Sequence, residues 1–212
     1  MSESNVNSRL EAFSDGVFAV ALTLLVIELR VPSIEAVSTT SNLWLALQHL
    51  LPSIFAFLLS FTIVFIAWVN HHGTLKLINR SSPAFIYANG FLLLTIVILP
   101  FTTALLSEHL FTDHATPAVV VYAAINALQS IAWILLSHAA LGPNPLTKNE
   151  RSTLTARAGQ KSSYLALAIN TLLTVMAFWL PQVAAILLGV VWLGWLVYGM
   201  RIKSVPEDAE IV

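Results

Sequence analysis

Six apolar segments, each about as long as a membrane-spanning helix, make up most of this 212-residue chain. A helix needs about 20 mostly apolar residues to cross the hydrocarbon core of a bilayer. Only 10% of the residues are charged, whereas a typical soluble domain has roughly 25%. So few charges cannot cover a soluble surface, and the sequence predicts an all-α integral membrane protein. The predicted spans are residues 10–29, 52–70, 85–106, 118–141, 163–180 and 183–202.

Basic residues are distributed very unevenly between the loops that join these spans. Arg30 is the only basic residue on one side of the predicted membrane. Lys and Arg are enriched in cytoplasmic loops, so we expect the other side, with both termini, to be cytoplasmic. We expect one six-span domain over residues 1–204 and a short acidic tail over residues 205–212. The remaining nine basic residues are Arg9, Lys76, Arg80, Lys148, Arg151, Arg157, Lys161, Arg201 and Lys203.

Several functional classes are excluded by the residues present. The net charge of −1 offers no basic surface for nucleic acid, and the absence of cysteine excludes thiolate metal sites. The adjacent His71 and His72 point about 100° apart on a helix and make a poor chelate, so no metal site is predicted. Nucleotide-binding and hydrolase motifs are missing from the sequence, so we expect that the protein is not an enzyme and has no cofactor. A TVGYG filter is also absent, which excludes an ordinary potassium channel.

The first span has a regular stripe of side chains. At 100° per residue, one face of this helix carries Gly16, Val20, Thr23, Leu24 and Ile27. The stripe is compatible with ordinary helix or lipid contact. It is also compatible with a narrow apolar pore, in which Thr23 supplies a hydroxyl and Glu28 lies at the outer mouth.

Asp15 lies inside the same span but on a different face. A carboxylate within a membrane is costly and usually faces protein or water. The predicted topology places Ser14, the histidine pair and Asn89 at the same depth. We therefore expect one polar cluster of these residues, acting either as a hydrogen-bonded connection between helices or as a proton relay.

The segment "RLEAFSDG" carries a recognisable pattern, namely Arg9 followed by Phe13, Ser14 and Asp15. This pattern resembles the signature of the lysosomal potassium channel family, transmembrane protein 175, in its six-helix prokaryotic branch. The segments "WVNHHG" and "LPFTTALLSE" also resemble that branch. The resemblance implies a homotetramer in the lipid of a prokaryotic plasma membrane, with the first helix of each subunit around a central pore. It implies potassium, and other monovalent cations, as the permeant ions.

The resemblance also implies roles for individual residues. Val20, Leu24 and Ile27 would form the constriction, with Thr23 as a hydroxyl layer. The signature, Arg9 with Phe13-Ser14-Asp15, would tie the first helix to Trp68 and to His71 or His72, and would serve packing and gating. Val20 is smaller than the isoleucine or leucine expected at the first constriction.

The sequence therefore predicts a potassium-permeable cation channel with a hydrophobic constriction. The alternative is a proton-conducting or proton-coupled transporter that uses Asp15 with His71 and His72. A non-conducting membrane scaffold is a third possibility.

Overall fold

The computed structural model describes residues 7–32 and 39–201, and it is helical throughout these ranges apart from the connections. A 3₁₀ turn, Val26–Glu28, directly continues the first helix. The predicted acidic tail lies outside the described residues. The helices are α1 (Ser8–Leu25), α2 (Thr40–His49), α3 (Leu51–Leu77), α4 (Pro83–Val97), α5 (Leu99–His109), α6 (Ala115–Ala140), α7 (Glu150–Met176) and α8 (Pro181–Arg201).

Four helical segments among the described residues are long and apolar enough to cross a membrane. Their mean hydropathies lie between 1.9 and 2.2. A shorter apolar segment, Pro181–Val197, lies in α8. The all-α class with membrane-length apolar helices is therefore confirmed. The four segments are α1 with its 3₁₀ turn, α3, α4 together with α5, and α6.

The predicted third span is interrupted at a single residue. The sequence predicts one helix over residues 85–106, bent at Pro100; α4 ends at Val97 and α5 begins at Leu99. Ile98 keeps a right-handed helical backbone, and α4 and α5 together form one membrane-length segment, Pro83–His109. Pro100 lies in the first turn of α5, directly after the interruption, where its missing N–H costs little.

Other boundaries differ because hydropathy locates the part of a helix that lies in lipid and not its polar extensions. Helix α3 continues past residue 70 to Leu77. Helix α7 begins at Glu150 instead of residue 163, and the Asn149 side chain caps it by accepting a hydrogen bond from the Ser152 N–H at 2.8 Å. Helix α8 begins at Pro181, since proline suits the first turn of a helix.

Backbone contacts identify the two ends of the bundle. The loop after α3 pairs with the loop before α7, where the Lys148 N–H donates to the Leu77 carbonyl at 2.9 Å. This end, which also holds the starts of α1 and α4, is called the basic end here. At the opposite end, Arg30 forms an ion pair with Glu108 at 3.3 Å.

A buried chain of hydroxyl groups joins three helices in the core. The Thr103 hydroxyl donates to the Leu99 carbonyl at 2.7 Å, so it accepts from Ser60 at 2.6 Å. Ser60 then accepts from the Tyr122 hydroxyl at 2.8 Å. All three hydroxyls are buried, and the chain connects α3, α5 and α6. The sequence pattern did not predict this connection, which places α5 firmly against its neighbours.

Candidate functional site

Helix α1 packs on the rest of the chain along one narrow stripe. Its buried side chains recur at helical spacing: Ser14, Phe18, Ala21 and Leu25. Only 22% of its most apolar stretch is buried, compared with 50% for α6. An apolar helix that buries so little of its surface within its own chain needs lipid or another protein surface to cover the rest.

The predicted pore-lining residues lie together on the exposed side of α1 and of the 3₁₀ turn that continues it, facing away from the buried stripe. The exposed fractions are 57% for Val20, 41% for Leu24 and 67% for Ile27. Thr23 is also exposed, and its hydroxyl donates to the Val20 carbonyl at 2.8 Å. Glu28 is half-buried in the 3₁₀ turn at the end of α1.

A shallow apolar groove of about 420 Å³ runs along this side of the helix. Val97, the last residue of α4, contributes to its wall. An apolar face of this kind, lining a groove, is suited to packing against a copy of itself or facing a narrow passage. The other lining residues are Ala12, Phe13, Gly16, Val17, Val20, Ala21 and Leu24.

A chain of buried hydrogen bonds connects α1 to α3 and α4. The Ser14 hydroxyl donates to the Leu10 carbonyl at 2.8 Å and accepts from the Asn89 amide nitrogen at 3.1 Å. The Asn89 amide oxygen lies 2.6 Å from His71 Nε2. Because that oxygen only accepts, Nε2 carries the proton and donates. Ser14, His71 and Asn89 are each at most 1% exposed.

Two acidic residues of α1 contact the same end of α3. Trp68 Nε1 donates to Asp15 Oδ1 at 2.9 Å, and Glu11 Oε1 lies 3.2 Å from His72 Nδ1. The Trp68 and His72 rings stack with their centroids 6.0 Å apart. These contacts and the buried chain form one assembly, called the polar cluster here. Its members are Glu11, Ser14, Asp15, Trp68, His71, His72 and Asn89.

The structure thus brings together most of the residues predicted for this cluster. Arg9 and Phe13 do not take part in its hydrogen bonds among the described residues, and Phe13 is 63% exposed beside the groove. Glu11 was missed by the sequence analysis. Its position four residues before Asp15, on the same face of α1, is the signal that would have identified it.

Trp68→Phe is expected to lower the free energy of unfolding by about 1 kcal/mol, the usual contribution of one hydrogen bond. Phenylalanine keeps an aromatic ring beside His72 but has no N–H to donate to Asp15. Unfolding in graded detergent mixtures measures the loss. Trp44→Phe on α2 is the matched control, because Trp44 is 67% exposed. Equal stability of the two variants would contradict the assigned contact.

The comparisons with known proteins agree on one family. The profile described as "Endosomal/lysosomal potassium channel TMEM175" matches residues 9–100. A potassium channel of Chamaesiphon minutus is 46% identical over 139 residues, which are 65% of this chain and 68% of the relative. A potassium channel of a Chryseobacterium species is 31% identical over 203 residues, which are 94% of this chain and 98% of the relative.

A solved structure gives the same result for the fold. The crystal structure of a lysosomal potassium-selective channel TMEM175 homolog from Chamaesiphon minutus superposes with a TM-score of 0.81 at 35% identity. The match covers 91% of this chain and 97% of that one. With a relative matched over nearly its whole length, the chain belongs to the TMEM175 family.

Proposed function

We propose that this chain is the subunit of a homotetrameric, potassium-permeable cation channel of a prokaryotic plasma membrane. Each subunit would cross the membrane six times, with the basic end and both termini in the cytoplasm. Four copies of α1 would surround the pore, which has no TVGYG-type filter. The two relatives described above are named potassium channels, and this supports the choice of permeant ion.

One observation carries the proposal, namely that α1 turns a stripe of apolar side chains away from its own subunit. If this stripe faced only lipid, the Thr23 hydroxyl and the absence of a side chain at Gly16 would contribute little to the contact with lipid. If four copies of α1 surround a pore axis, the same residues form successive rings of different size and polarity. Because α1 is the least buried of the four membrane-length segments, it has the most surface available to other subunits.

The mechanism follows from the chemistry of these rings. Rings of Val20, Leu24 and Ile27 would form a constriction that water enters poorly, and such constrictions gate by dewetting. Thr23 would offer hydroxyl oxygens between two of the apolar rings. Glu28 would lie at the outer mouth, where its negative charge raises the local concentration of cations.

The polar cluster would set the orientation of α1 rather than contact the ions. Its acidic members lie on a different face from the stripe, and its buried members bond to α3 and α4. A rotation of α1 would break several of these bonds at once. The cluster therefore suits a gating role, in which the angle of α1 decides how the rings meet.

The proposed function predicts potassium flux in liposomes that contain only the purified protein. With potassium inside and sodium outside, the channel should release potassium faster than it admits sodium, since the family relative is potassium-selective. A dye that reports internal pH separates this result from proton transport. Flux that follows the pH gradient and disappears in Asp15→Asn would favour the proton transporter, and no flux of any ion would favour the scaffold.

A further inference from the structure

A second groove lies between the last two described helices of the chain, α7 and α8. Its volume is about 500 Å³, and its wall is mostly apolar. It shares no residue with the polar cluster or with the α1 stripe. The residues that line it are Ser162, Leu165, Ile169, Val191, Gly194 and Trp195.

The position of this groove along the two helices places it near the basic end. Helix α7 begins at that end, and the antiparallel α8 finishes there at Arg201. At 1.5 Å per residue, Trp195 lies only about 9 Å from the end of α8. The groove therefore opens into the leaflet of the membrane at the basic end.

Two exposed cations of α7 lie on the helical turns before the groove, in the direction of the basic end. Lys161 precedes Leu165 by one helical turn and Arg157 precedes it by two, at about 40° and 80° around the helix from Leu165. Neither residue takes part in the ion pairs found among the described residues. This step rests on the proposed function, in which α7 is one of six membrane-crossing helices. Long basic side chains on such a helix extend towards the interface, and on α7 that direction leads to the basic end.

We propose that the α7–α8 groove binds an anionic phospholipid of this leaflet. One acyl chain would lie along Leu165, Ile169 and Val191, and the phosphate would be bound by Lys161 and Arg157. Arginine supplies a bidentate donor for phosphate and lysine a compact positive charge. A protein partner would have to provide acidic groups to the same two cations as well as an apolar ridge to the groove.

Trp195 lines the groove and allows a direct test of lipid binding. The wild-type protein and Trp195→Phe are reconstituted in two kinds of vesicle. One contains brominated phosphatidylglycerol with unbrominated phosphatidylcholine, and the other contains brominated phosphatidylcholine with unbrominated phosphatidylglycerol. Bromine quenches tryptophan fluorescence on contact, and the difference between the two proteins isolates Trp195 from the other five tryptophans. We expect the anionic lipid to be preferred at Trp195 by at least about fivefold, the effect of one basic residue near an anionic surface.

Two variants distinguish the headgroup contact from the acyl-chain contact. Lys161→Gln with Arg157→Gln should remove the preference for phosphatidylglycerol, whereas Lys148→Gln removes a charge before α7 begins and should keep it. Gly194→Leu should reduce quenching by both lipids, because a Cβ at that position meets no heavy atom within 4 Å and the side chain can fill the groove.

Four results would overturn the proposal. The first is equal quenching by the two lipids in the wild-type protein. The second is a preference that survives the loss of both cations. The third is quenching that is unchanged by Gly194→Leu. The fourth is no quenching of Trp195 by either lipid, which would mean that a second copy of the chain covers the groove. None of these measurements requires a conducting channel, so they stand apart from the test of ion flux.

Discussion

Replacing Leu24 and Ile27 together by alanine is expected to raise the cation leak about tenfold, as when a barrier falls by about 1.4 kcal/mol. Each substitution removes three carbons per subunit, and four subunits would contribute at the same two levels of the pore. A wider and less apolar-lined constriction admits water more readily, so the energetic barrier to a hydrated ion falls. The ratio of potassium to sodium flux should also move towards one, and both quantities are measured in liposomes.

The matched control for this experiment is Leu172→Ala with Val175→Ala on α7. These two residues have the same spacing as Leu24 and Ile27, and they are similarly exposed, at 67% and 48%. Their truncation removes comparable apolar surface from a helix outside the proposed pore. Equal leak in the two double variants would show that the α1 stripe has no special relation to the ion path.

Asn89→Ala is expected to produce the largest loss of stability among the cluster residues. The substitution leaves the His71 Nε2–H without its buried acceptor and removes the donor to Ser14, whose hydroxyl keeps its bond to the Leu10 carbonyl. An unpaired buried donor costs about 1–3 kcal/mol and a lost hydrogen bond about 1 kcal/mol, so the total loss should be roughly 2–4 kcal/mol. The free energy of unfolding in graded detergent mixtures, together with the yield of assembled protein, measures the effect.

Asn70→Ala provides the comparison, because Asn70 lies on α3 but its side chain is exposed. This control should change the free energy of unfolding by less than about 0.5 kcal/mol, as is usual for surface substitutions. A loss of similar size in the two asparagine variants would mean that the buried chain through Asn89 does not stabilise the packing of α1.

The sequence predicts the polar cluster because few polar side chains occur at membrane depth. Ser14, Asp15, His71 and Asn89 stand out among apolar neighbours, and the order of the spans places them at one level. The order of the spans also places Trp68 at this level, but its contact with the first helix followed only from the family resemblance. Glu11 was missed because it lies at the start of the helix, where a carboxylate is common and attracts no attention.

The chain of hydroxyl groups in the core could not be predicted from the sequence, for a different reason. Ser60, Thr103 and Tyr122 are far apart in the chain, and each taken alone is an ordinary residue of a membrane helix. Their meeting depends on how α3, α5 and α6 pack, which brings Thr103 and Tyr122 against Ser60. Hydropathy locates the spans but does not show which faces of them meet, so the contact could be found only in three dimensions.

The most direct measurement of the central claim uses the absence of cysteine from this chain. A single Leu24→Cys substitution gives one thiol on the α1 stripe, and Leu172→Cys gives one on α7. Both proteins are labelled to completion with the same small thiol reagent, and potassium flux is measured before and after. If four copies of α1 line the pore, labelling at position 24 abolishes most of the flux and labelling at position 172 leaves it intact. Undiminished flux through protein fully labelled at position 24 would contradict the account.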